Sequence, residues 1–362
     1  MNIFVIILMI FAAVGFIDRA IGGRLGFEKE IETGLSTMGT LSVYIIGIYC
    51  LGTTFVQNNA DAIAEATGIL PVDPSIIIGC ILAPDLGGQP IAMGLTPDKA
   101  MGYYSGIIVG GCLGQFISFQ LPVIFSMLDL DIKQKMIRGF VYGIIAIPFG
   151  LVAGGLVMAI PLSKLFLNIS IITAVCILLL AGFKRFPSVT EKILLGFSSI
   201  IESICQVLFV IVVAGIFIPK ISVVPIDIIL DALYLILRMT IIICGGLVIS
   251  KLITKIFDRA LKQIGYWFGT DKLSIVGLML NMINTLTVVP HLKDMDANGK
   301  IINGAFAVSG SYILGGQLAF VLLVAPSGVF SAYIVSKLTA GIIGIIIAVA
   351  VSKRKKSMDL TI

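Results

Sequence analysis

Long stretches without a single Asp, Glu, Lys or Arg restrict what this chain can fold into. They cover residues 1–17, 33–60, 100–128, 139–163, 165–183 and 301–336. A membrane-spanning helix needs about 20 consecutive apolar residues, and most of these stretches are that long. Charged residues make up 12% of the 362 residues, about half the share in soluble domains. We therefore expect an all-α polytopic membrane protein with one integral membrane domain over residues 1–362, and soluble classes are excluded.

Eleven apolar segments can be drawn, and the basic residues between them indicate how they cross the membrane. The segments cover about residues 2–17, 34–56, 74–97, 100–128, 139–160, 162–183, 196–218, 226–250, 272–292, 301–325 and 329–352. If all eleven cross, the loops hold 12 basic residues inside and 11 outside. If the third and ninth segments enter and leave on one side, 20 lie inside, 3 outside and 2 within spans. Because cytoplasmic loops carry the excess of Lys and Arg, we expect about nine transmembrane helices plus two re-entrant segments, with eleven full spans as the alternative.

The third and ninth segments are also interrupted by residues that break helices. The third contains Ala-Pro-Asp-Leu-Gly-Gly-Gln-Pro over residues 83–90, and the ninth contains Asn-Met-Ile-Asn-Thr over 281–285 before Pro290. Pro and Gly interrupt a helix, and irregular backbone at membrane depth is tolerated only inside protein or beside water. The sequence therefore predicts two broken segments, and two kinked ordinary spans are the alternative.

The two halves of the chain resemble each other. Asp73 is followed by Gly79 at the same spacing that separates Asp271 from Gly277, and each pair opens a broken segment. Inverted repeats with broken helices are a recurrent plan of secondary transporters. We expect an inverted 5+5 repeat with repeat 1 over about 1–160, a linking helix over 162–183 and repeat 2 over about 190–352.

Asp85 is the most informative polar residue, because it lies in the Pro/Gly-rich break of the third segment. An ionisable group at such a position is costly, so it is expected to face a cavity and a partner, here a cation. The alternative is a loop-tip aspartate near the outer surface. Amides, a hydroxyl and glycines of both halves complete the candidate substrate-binding set: Asp85, Gly87, Gly88, Gln89, Gln115, Asn281, Asn284, Thr285 and Gln317. The amides could instead join helices by hydrogen bonds.

Other charged residues also fall within apolar segments. Arg238 and Lys337 are basic, and the acids available to pair with them are Glu202 and Asp231. Such groups form buried ion pairs or a proton relay. His291 is the only histidine, and the six cysteines form no Cys-x-x-Cys motif. We therefore expect no catalytic residues, no metal site and no cofactor, and we do not expect an enzyme.

Four short motifs are spread along the chain: Ala-Pro-Asp-Leu-Gly-Gly over 83–88, Tyr-Ser-Gly over 104–106, Ile-Pro-Phe-Gly over 147–150 and Asn-Gly-Ala-Phe-Ala-Val-Ser over 303–309. Together they resemble the EutH-type ethanolamine permeases of bacterial ethanolamine utilisation. The resemblance extends from about Gly34 to Ile347. It implies a permease that moves ethanolamine or a closely related small amine across the bacterial inner membrane.

The chain departs from that family's pattern at two places. The family has Cys-Asp-Met-Gly-Gly where this chain has residues 84–88, and Asp-His where it has Gly316-Gln317. Asp85 is kept but the second acid is absent, so the resemblance implies transport of a small amine more strongly than of ethanolamine itself.

A small primary amine is largely protonated near neutral pH, as lysine is. Its ammonium needs an anion and further acceptors, and its hydroxyl needs a hydrogen-bond partner. Asp85 with Asn284 and a glutamine would supply that set, and Tyr103 or Tyr104 could add a cation–π contact.

The predicted partners are the small cationic amine and the lipid bilayer, and the sequence leaves a homo-oligomer open. Nucleic acid is excluded because the basic residues are spread between helices. The charge count puts the N-terminus outside and the basic run at residues 353–356 in the cytoplasm. Two other functions stay open: transport of another small solute or cation on the same scaffold, and a non-catalytic membrane subunit.

Overall fold

The computed structural model describes residues 3–59, 62, 65 and 71–359, and every regular element within them is helical. The α-helices are α1 Ile3–Ala20, α2 Glu28–Tyr44, α3 Leu51–Asn58, α4 Pro74–Ile81, α5 Gly88–Gly94, α6 Lys99–Tyr103, α7 Leu121–Ser126, α8 Leu130–Val157, α9 Leu162–Arg185, α10 Pro187–Phe217, α11 Ile226–Ile256, α12 Asp258–Phe268, α13 Lys272–Asn281, α14 Ala297–Ser309, α15 Gly316–Val324 and α16 Ser327–Asp359. Stretches of π-helix lie at Ile45–Cys50, Tyr104–Gly114 and Phe116–Gln120, and 3-10 helices lie at Pro84–Leu86, Pro219–Ile221, Thr285–Thr287 and Val289–Asp294. The predicted all-α class is confirmed for this part of the chain.

Four described helices are long and apolar enough to cross a membrane. They are α8, α9, α11 and the Ser327–Ser352 part of α16. A fifth is added if Lys99–Gly114 and Phe116–Ile124, which meet at an angle of 40°, are one bent span. With the shorter apolar helices beside them, these elements form a multi-pass membrane protein.

The third apolar segment is broken as its sequence predicts. Asp73 caps α4 by accepting a hydrogen bond from the Ser75 backbone N–H at 3.0 Å, as N-cap aspartates do. The helix ends at Ile81, and the chain crosses the break through the 3-10 helix Pro84–Leu86. Gly87 then turns the backbone with φ +94° into α5, a conformation that favours glycine because other side chains rarely adopt it.

The ninth apolar segment is broken in a similar way. Asp271 caps α13 by accepting from the Ser274 backbone N–H at 2.7 Å, and α13 ends at Asn281. Asn284 then caps the 3-10 helix Thr285–Thr287, because its side chain accepts a hydrogen bond from the Leu286 N–H at 2.9 Å. Both interruptions predicted from Pro, Gly and Asn are therefore confirmed.

The tenth segment, predicted as one span over 301–325, is divided in the structure. Helix α14 ends at Ser309 and α15 begins at Gly316, and Tyr312 between them has φ +60°. The Tyr312 N–H donates to the Asn281 carbonyl at 3.1 Å, and the Leu314 N–H donates to the Met282 carbonyl at 2.8 Å. The unwound segment 310–315 thus donates backbone hydrogen bonds to carbonyl groups at the end of α13. In an apolar interior such backbone groups need partners within the protein.

The centre of the molecule is built on α8 and α16, which pack closely along glycines. A Cβ atom on Gly150 of α8 would lie 2.5 Å from the Ser336 carbonyl oxygen of α16. The π-helical stretch Tyr104–Gly114 packs against α4 by the same means, because Gly114 faces the Leu82 carbonyl. Small residues at such contacts let helix backbones approach each other.

Helices α9 and α10 carry much of the exposed apolar surface of the molecule. Leu178 of α9 is 71% exposed and Phe217 at the end of α10 is 80% exposed. Patches of this kind mark membrane or protein contacts, and in a multi-pass protein lipid is their natural neighbour.

Candidate functional site

A cavity of about 350 Å³ lies between three parts of the chain. They are the break between α4 and α5, helix α11, and the unwound segment 310–315 between α14 and α15. It is lined by Val5, Tyr49, Ala83, Asp85, Leu86, Gln115, Phe119, Asp231, Tyr234, Leu235, Arg238, Met239, Ile242, Ile283, Asn284, Tyr312, Gln317 and Phe320. Its wall is thus mostly apolar and aromatic, with a few polar groups. Binding sites for small molecules have this composition and begin at about 300 Å³.

Four of the nine residues predicted for the site line this cavity together. They are Asp85, Gln115, Asn284 and Gln317. They come from both broken segments and from the helices that follow them. Asp85 and Gln317 are 232 residues apart in the sequence, and one hydrogen bond joins their side chains.

Asp85 supplies a carboxylate to the cavity wall. Asp85 lies in the 3-10 helix Pro84–Leu86. The residue is exposed, and it lines the cavity. Its Oδ1 accepts from the Gln317 Nε2 at 3.4 Å. Among the described residues no ion pair joins Asp85 to a basic side chain, so its negative charge is open to a mobile cation.

Gln317 connects Asp85 to a buried lysine. Its Oε1 accepts from the Lys337 Nζ at 3.0 Å and from the Tyr333 hydroxyl at 2.9 Å. Because an ammonium can only donate, the oxygen of the amide must point at Lys337 and the nitrogen at Asp85. Lys337 and Tyr333 are both fully buried, so this chain of contacts is fixed inside the protein.

Gln115 presents an unused acceptor. Its Nε2 donates to the Ser311 hydroxyl at 3.0 Å and to the Val308 carbonyl at 3.4 Å. A carbonyl can only accept, which fixes the orientation of the amide. The Gln115 Oε1 is buried without a hydrogen-bond partner among the described residues. An unmet acceptor is costly, and a donor on a bound solute would satisfy it.

Gln120 joins the two halves behind the cavity. Its Nε2 donates to the Thr285 hydroxyl at 2.6 Å and to the Ser311 hydroxyl at 2.8 Å. Thr285 lies in the 3-10 helix Thr285–Thr287 that follows α13, and Ser311 lies in the unwound segment 310–315 between α14 and α15. The sequence does not mark Gln120 or Ser311 as site residues, because a polar residue in an apolar helix looks the same in a binding site and in a helix contact.

The other five predicted residues do not line the cavity. They are Gly87, Gly88, Gln89, Asn281 and Thr285. The Gly88 N–H donates to the Ala83 carbonyl at 3.0 Å, and Gln89 packs its backbone on Gly106. The Asn281 side chain donates to the Asn303 Oδ1 at 3.1 Å.

The aromatic residues of the cavity differ from the two expected. Tyr103 and Tyr104 do not line it, and the Tyr104 hydroxyl is buried and donates to the Leu151 carbonyl at 3.0 Å. Tyr49, Tyr234 and Tyr312 line it instead. The sequence held no pattern that distinguished these tyrosines, since their placement depends on how distant helices meet.

The charged residues expected to pair inside the protein follow a different arrangement. Lys337 contacts Gln317 and the Gly111 carbonyl, at 2.5 Å, and no ion pair among the described residues joins it to Asp231. The side chain of Glu202 lies outside the described ones. Asp231 and Arg238 are exposed and share the face of α11 that lines the cavity, as their seven-residue spacing predicts. The Arg238 guanidinium lies 5.4 Å from the centre of the Tyr234 ring.

A second cavity, of about 530 Å³, has the opposite charge character. Its lining includes Lys251, Lys255 and Lys272 against Glu30 and Asp258. Lys251 pairs with Glu30 at 2.8 Å, and Lys272 pairs with Asp258. The excess of positive charge makes this cavity the poorer place for a cation.

The chain is similar to known proteins over nearly its whole length. The family model described as ethanolamine utilisation protein EutH matches residues 1–351. A protein of Listeria monocytogenes named "Probable ethanolamine permease EutH" is 30% identical over 369 residues, covering 99% of this chain and 97% of that protein. The protein of the same name from Salmonella typhimurium is 26% identical over 390 residues, covering 96% and 94%. No solved structure matches the chain. The match over nearly the whole length shows that this chain belongs to the ethanolamine utilisation protein EutH family.

Proposed function

We propose that this protein is a permease that carries ethanolamine, or a closely related small primary amine, across the bacterial inner membrane. The observation that supports this most is the open Asp85 carboxylate in a largely apolar cavity, whose lining also includes Gln115, with an Oε1 that has no hydrogen-bond partner among the described residues. The relatives named probable ethanolamine permease support the same solute. No chemical step on the amine is proposed, since this role needs only binding and release.

The lining suits a small ammonium ion that carries a hydroxyl. The ammonium has several N–H donors, and Asp85 and the Gln115 Oε1 provide a charge and a neutral acceptor. Tyr49 and Tyr312 lie in the same wall, where aromatic rings attract cations. Asn284 and Gln317 supply polar atoms for the hydroxyl end.

Uptake into liposomes that contain the purified protein tests the solute. Labelled ethanolamine should enter, and unlabelled ethanolamine should compete with it. Glycerol, which has hydroxyls but no ammonium, should not compete, because it offers Asp85 no charge. Competition by choline or ammonium would extend the range of accepted cations. Equal competition by glycerol would contradict the cation site, and absence of any uptake would favour a non-catalytic membrane subunit.

The two halves are proposed to form an inverted repeat of five helical segments each, linked by α9. A constant offset supports this, because 271 minus 73, 277 minus 79 and 296 minus 98 all give 198. The paired residues also act alike: Asp73 and Asp271 cap α4 and α13, and Asp98 and Asp296 cap α6 and α14. Helices α8 and α16 follow at nearly the same offset, so repeat 1 spans about 1–160 and repeat 2 about 190–352.

The charge count adds the orientation to this proposal. Segments 74–97 and 272–292 then enter from opposite sides, the N-terminus is outside and the C-terminus is cytoplasmic. Single cysteines test it in a chain whose six native cysteines are replaced by alanine. Lys99→Cys should react with an impermeant thiol reagent from outside, and Asp294→Cys only from inside; both positions are exposed. Reaction of both from one side would contradict the inverted repeat.

A further inference from the structure

Lys337 is a fully buried cation that the binding of a solute does not by itself explain. It lies in α16 with 0% of its surface exposed. Its Nζ donates to the Gly111 carbonyl at 2.5 Å and to the Gln317 Oε1 at 3.0 Å. Among the described residues no ion pair joins it to a carboxylate. Burying an ammonium without an anion beside it is costly, so the residue needs a reason to be there.

The surroundings of Lys337 suit both protonation states. A neutral amine has two N–H donors, and the two acceptors, Gly111 O and Gln317 Oε1, satisfy both of them. An ammonium has a third donor and a charge, and the Tyr333 ring centre lies 5.1 Å from Nζ, within the range of a cation–π contact. The two states therefore differ little in hydrogen bonding, and the charge on nearby groups decides between them.

Asp85 is the carboxylate that acts on Lys337, and it is linked to Lys337 through the single amide of Gln317. Asp85 and the Cys112 thiol are the titratable groups that act on Lys337 electrostatically. Tyr333 on its own helix shares the Gln317 oxygen, and Arg238 acts on Asp85 from across the cavity. Lys337 and Asp85 carry opposite charges when both are ionised, so each favours the charged form of the other.

We propose that Lys337 couples transport to protons by losing one proton when the amine cation binds at Asp85. This rests on the proposed function, because a substrate ammonium would replace the Lys337 ammonium as the counter-ion of Asp85. Lys337 gives up one proton from Nζ to bulk solution, and a neutral lysine remains. One positive charge enters and one leaves, so the charge of the site is unchanged. Transport then exchanges one amine cation for one proton.

Calorimetric titration of the purified protein with ethanolamine hydrochloride, in buffers of different ionisation enthalpy, counts the protons released. At pH values low enough for Lys337 to be protonated in the empty protein, the wild-type protein should release about one proton per amine bound. Its Kd should fall about tenfold for each unit of rising pH, since one proton is linked to binding. Lys337→Met should bind the amine with no proton release and no such pH dependence. If the protein instead took up the neutral amine, the release would persist in Lys337→Met, and that result would overturn the proposal.

Two further variants keep the test decisive. Lys337→Arg retains a charge that proteins do not deprotonate, so it should bind the amine more weakly and without proton release, and it serves if Lys337→Met does not fold. Lys220→Met, at an exposed position in the 3-10 helix Pro219–Ile221, should behave as wild type. Binding by the wild-type protein without proton release would overturn the coupling and leave the proposed function standing. Absence of any binding would overturn both.

Discussion

The Lys337 ammonium lies 3.0 Å from the side-chain oxygen of Gln317, and this contact turns the amide nitrogen of Gln317 toward Asp85. A neutral side chain thereby separates a buried cation from an open carboxylate. Asp85 keeps a charge that a solute can reach, while the lysine stays within its electrostatic influence.

Removing the amide of Gln317 should destabilise the protein. Gln317→Leu takes the shared acceptor from Lys337 and Tyr333 and leaves both donors buried with fewer partners. Each unmet buried donor costs about 1–3 kcal/mol. Thermal denaturation in detergent should show the loss, and Gln206→Leu, at an exposed position of α10, should not. An unchanged denaturation temperature in Gln317→Leu would contradict the contact.

Gly114 should not tolerate a methyl group. A Cβ there would overlap the carbonyl oxygens of Leu82 and Gly79, and backbone atoms cannot move aside as a flexible side chain can. Overpacking of a well-packed interior costs about 1–3 kcal/mol, so Gly114→Ala should lower the denaturation temperature and the yield of folded protein. Gly52→Ala is the matched control, since nothing lies within 4 Å of its Cβ position. Equal stability of the two variants would refute the close approach at the first break.

The charge of Asp98 should stabilise the fold at neutral pH but not in acid. The hydrogen bond from Lys164, with help from the backbone N–H groups of α6, lowers the pKa of Asp98. Stability from a lowered pKa is present above the unfolded value of about 3.9 and is lost as pH falls through the folded value. Asp98→Asn keeps a capping side chain, so it should be less stable than wild type at pH 7 by less than about 1 kcal/mol.

That difference should close as the pH is lowered from about 4 toward the folded pKa. Denaturation curves of both proteins between pH 3 and pH 7 measure it. Asp129→Asn provides the control, because Asp129 makes no capping hydrogen bond to α8. A difference that stayed constant with pH would show that the carboxylate charge plays no part.

Arg238 should weaken cation binding, because it adds positive charge to the wall that holds Asp85. Charge interactions at a hydrated surface amount to about 0.2–1 kcal/mol. Arg238→Gln should therefore lower the KM for ethanolamine by up to about fivefold, and Asp231→Asn should raise it by a similar factor. Both effects should shrink in high salt. A higher KM in Arg238→Gln would mean that the arginine contacts the solute directly.

The interruptions of the fold could be predicted from sequence because they have local causes. Pro84 and Gly87 cannot continue a helix, and Asp73 and Asp271 are N-cap residues before apolar runs. The opening between α14 and α15 was not predicted, because it depends on a partner: the Tyr312 and Leu314 N–H groups donate to the end of α13. Sequence alone does not show which unwound segments meet.

The carboxylate of the site could be predicted from sequence, whereas the aromatic residues that line the cavity could not. Asp85 stood out because a carboxylate in a broken apolar segment is costly. Tyr49 and Tyr312 did not stand out, since one tyrosine in an apolar helix resembles another until the helices are assembled. The role of Gln317 as a link to Lys337 follows from an amide orientation, which only the positions of its neighbours determine.

Ethanolamine uptake by Asp85→Asn in liposomes tests the proposed cation site, with wild type, Asp85→Glu and Asp294→Asn measured at equal protein level. Asp85→Asn keeps the shape of the side chain and removes the charge-assisted hydrogen bond, which is worth about 1.5–3 kcal/mol. Its apparent affinity should fall about ten- to a hundredfold, Asp85→Glu should keep part of the activity, and Asp294→Asn, at an exposed position, should match wild type. Wild-type affinity in Asp85→Asn would contradict the proposed cation site, because the cation would then bind without the carboxylate on which that site depends.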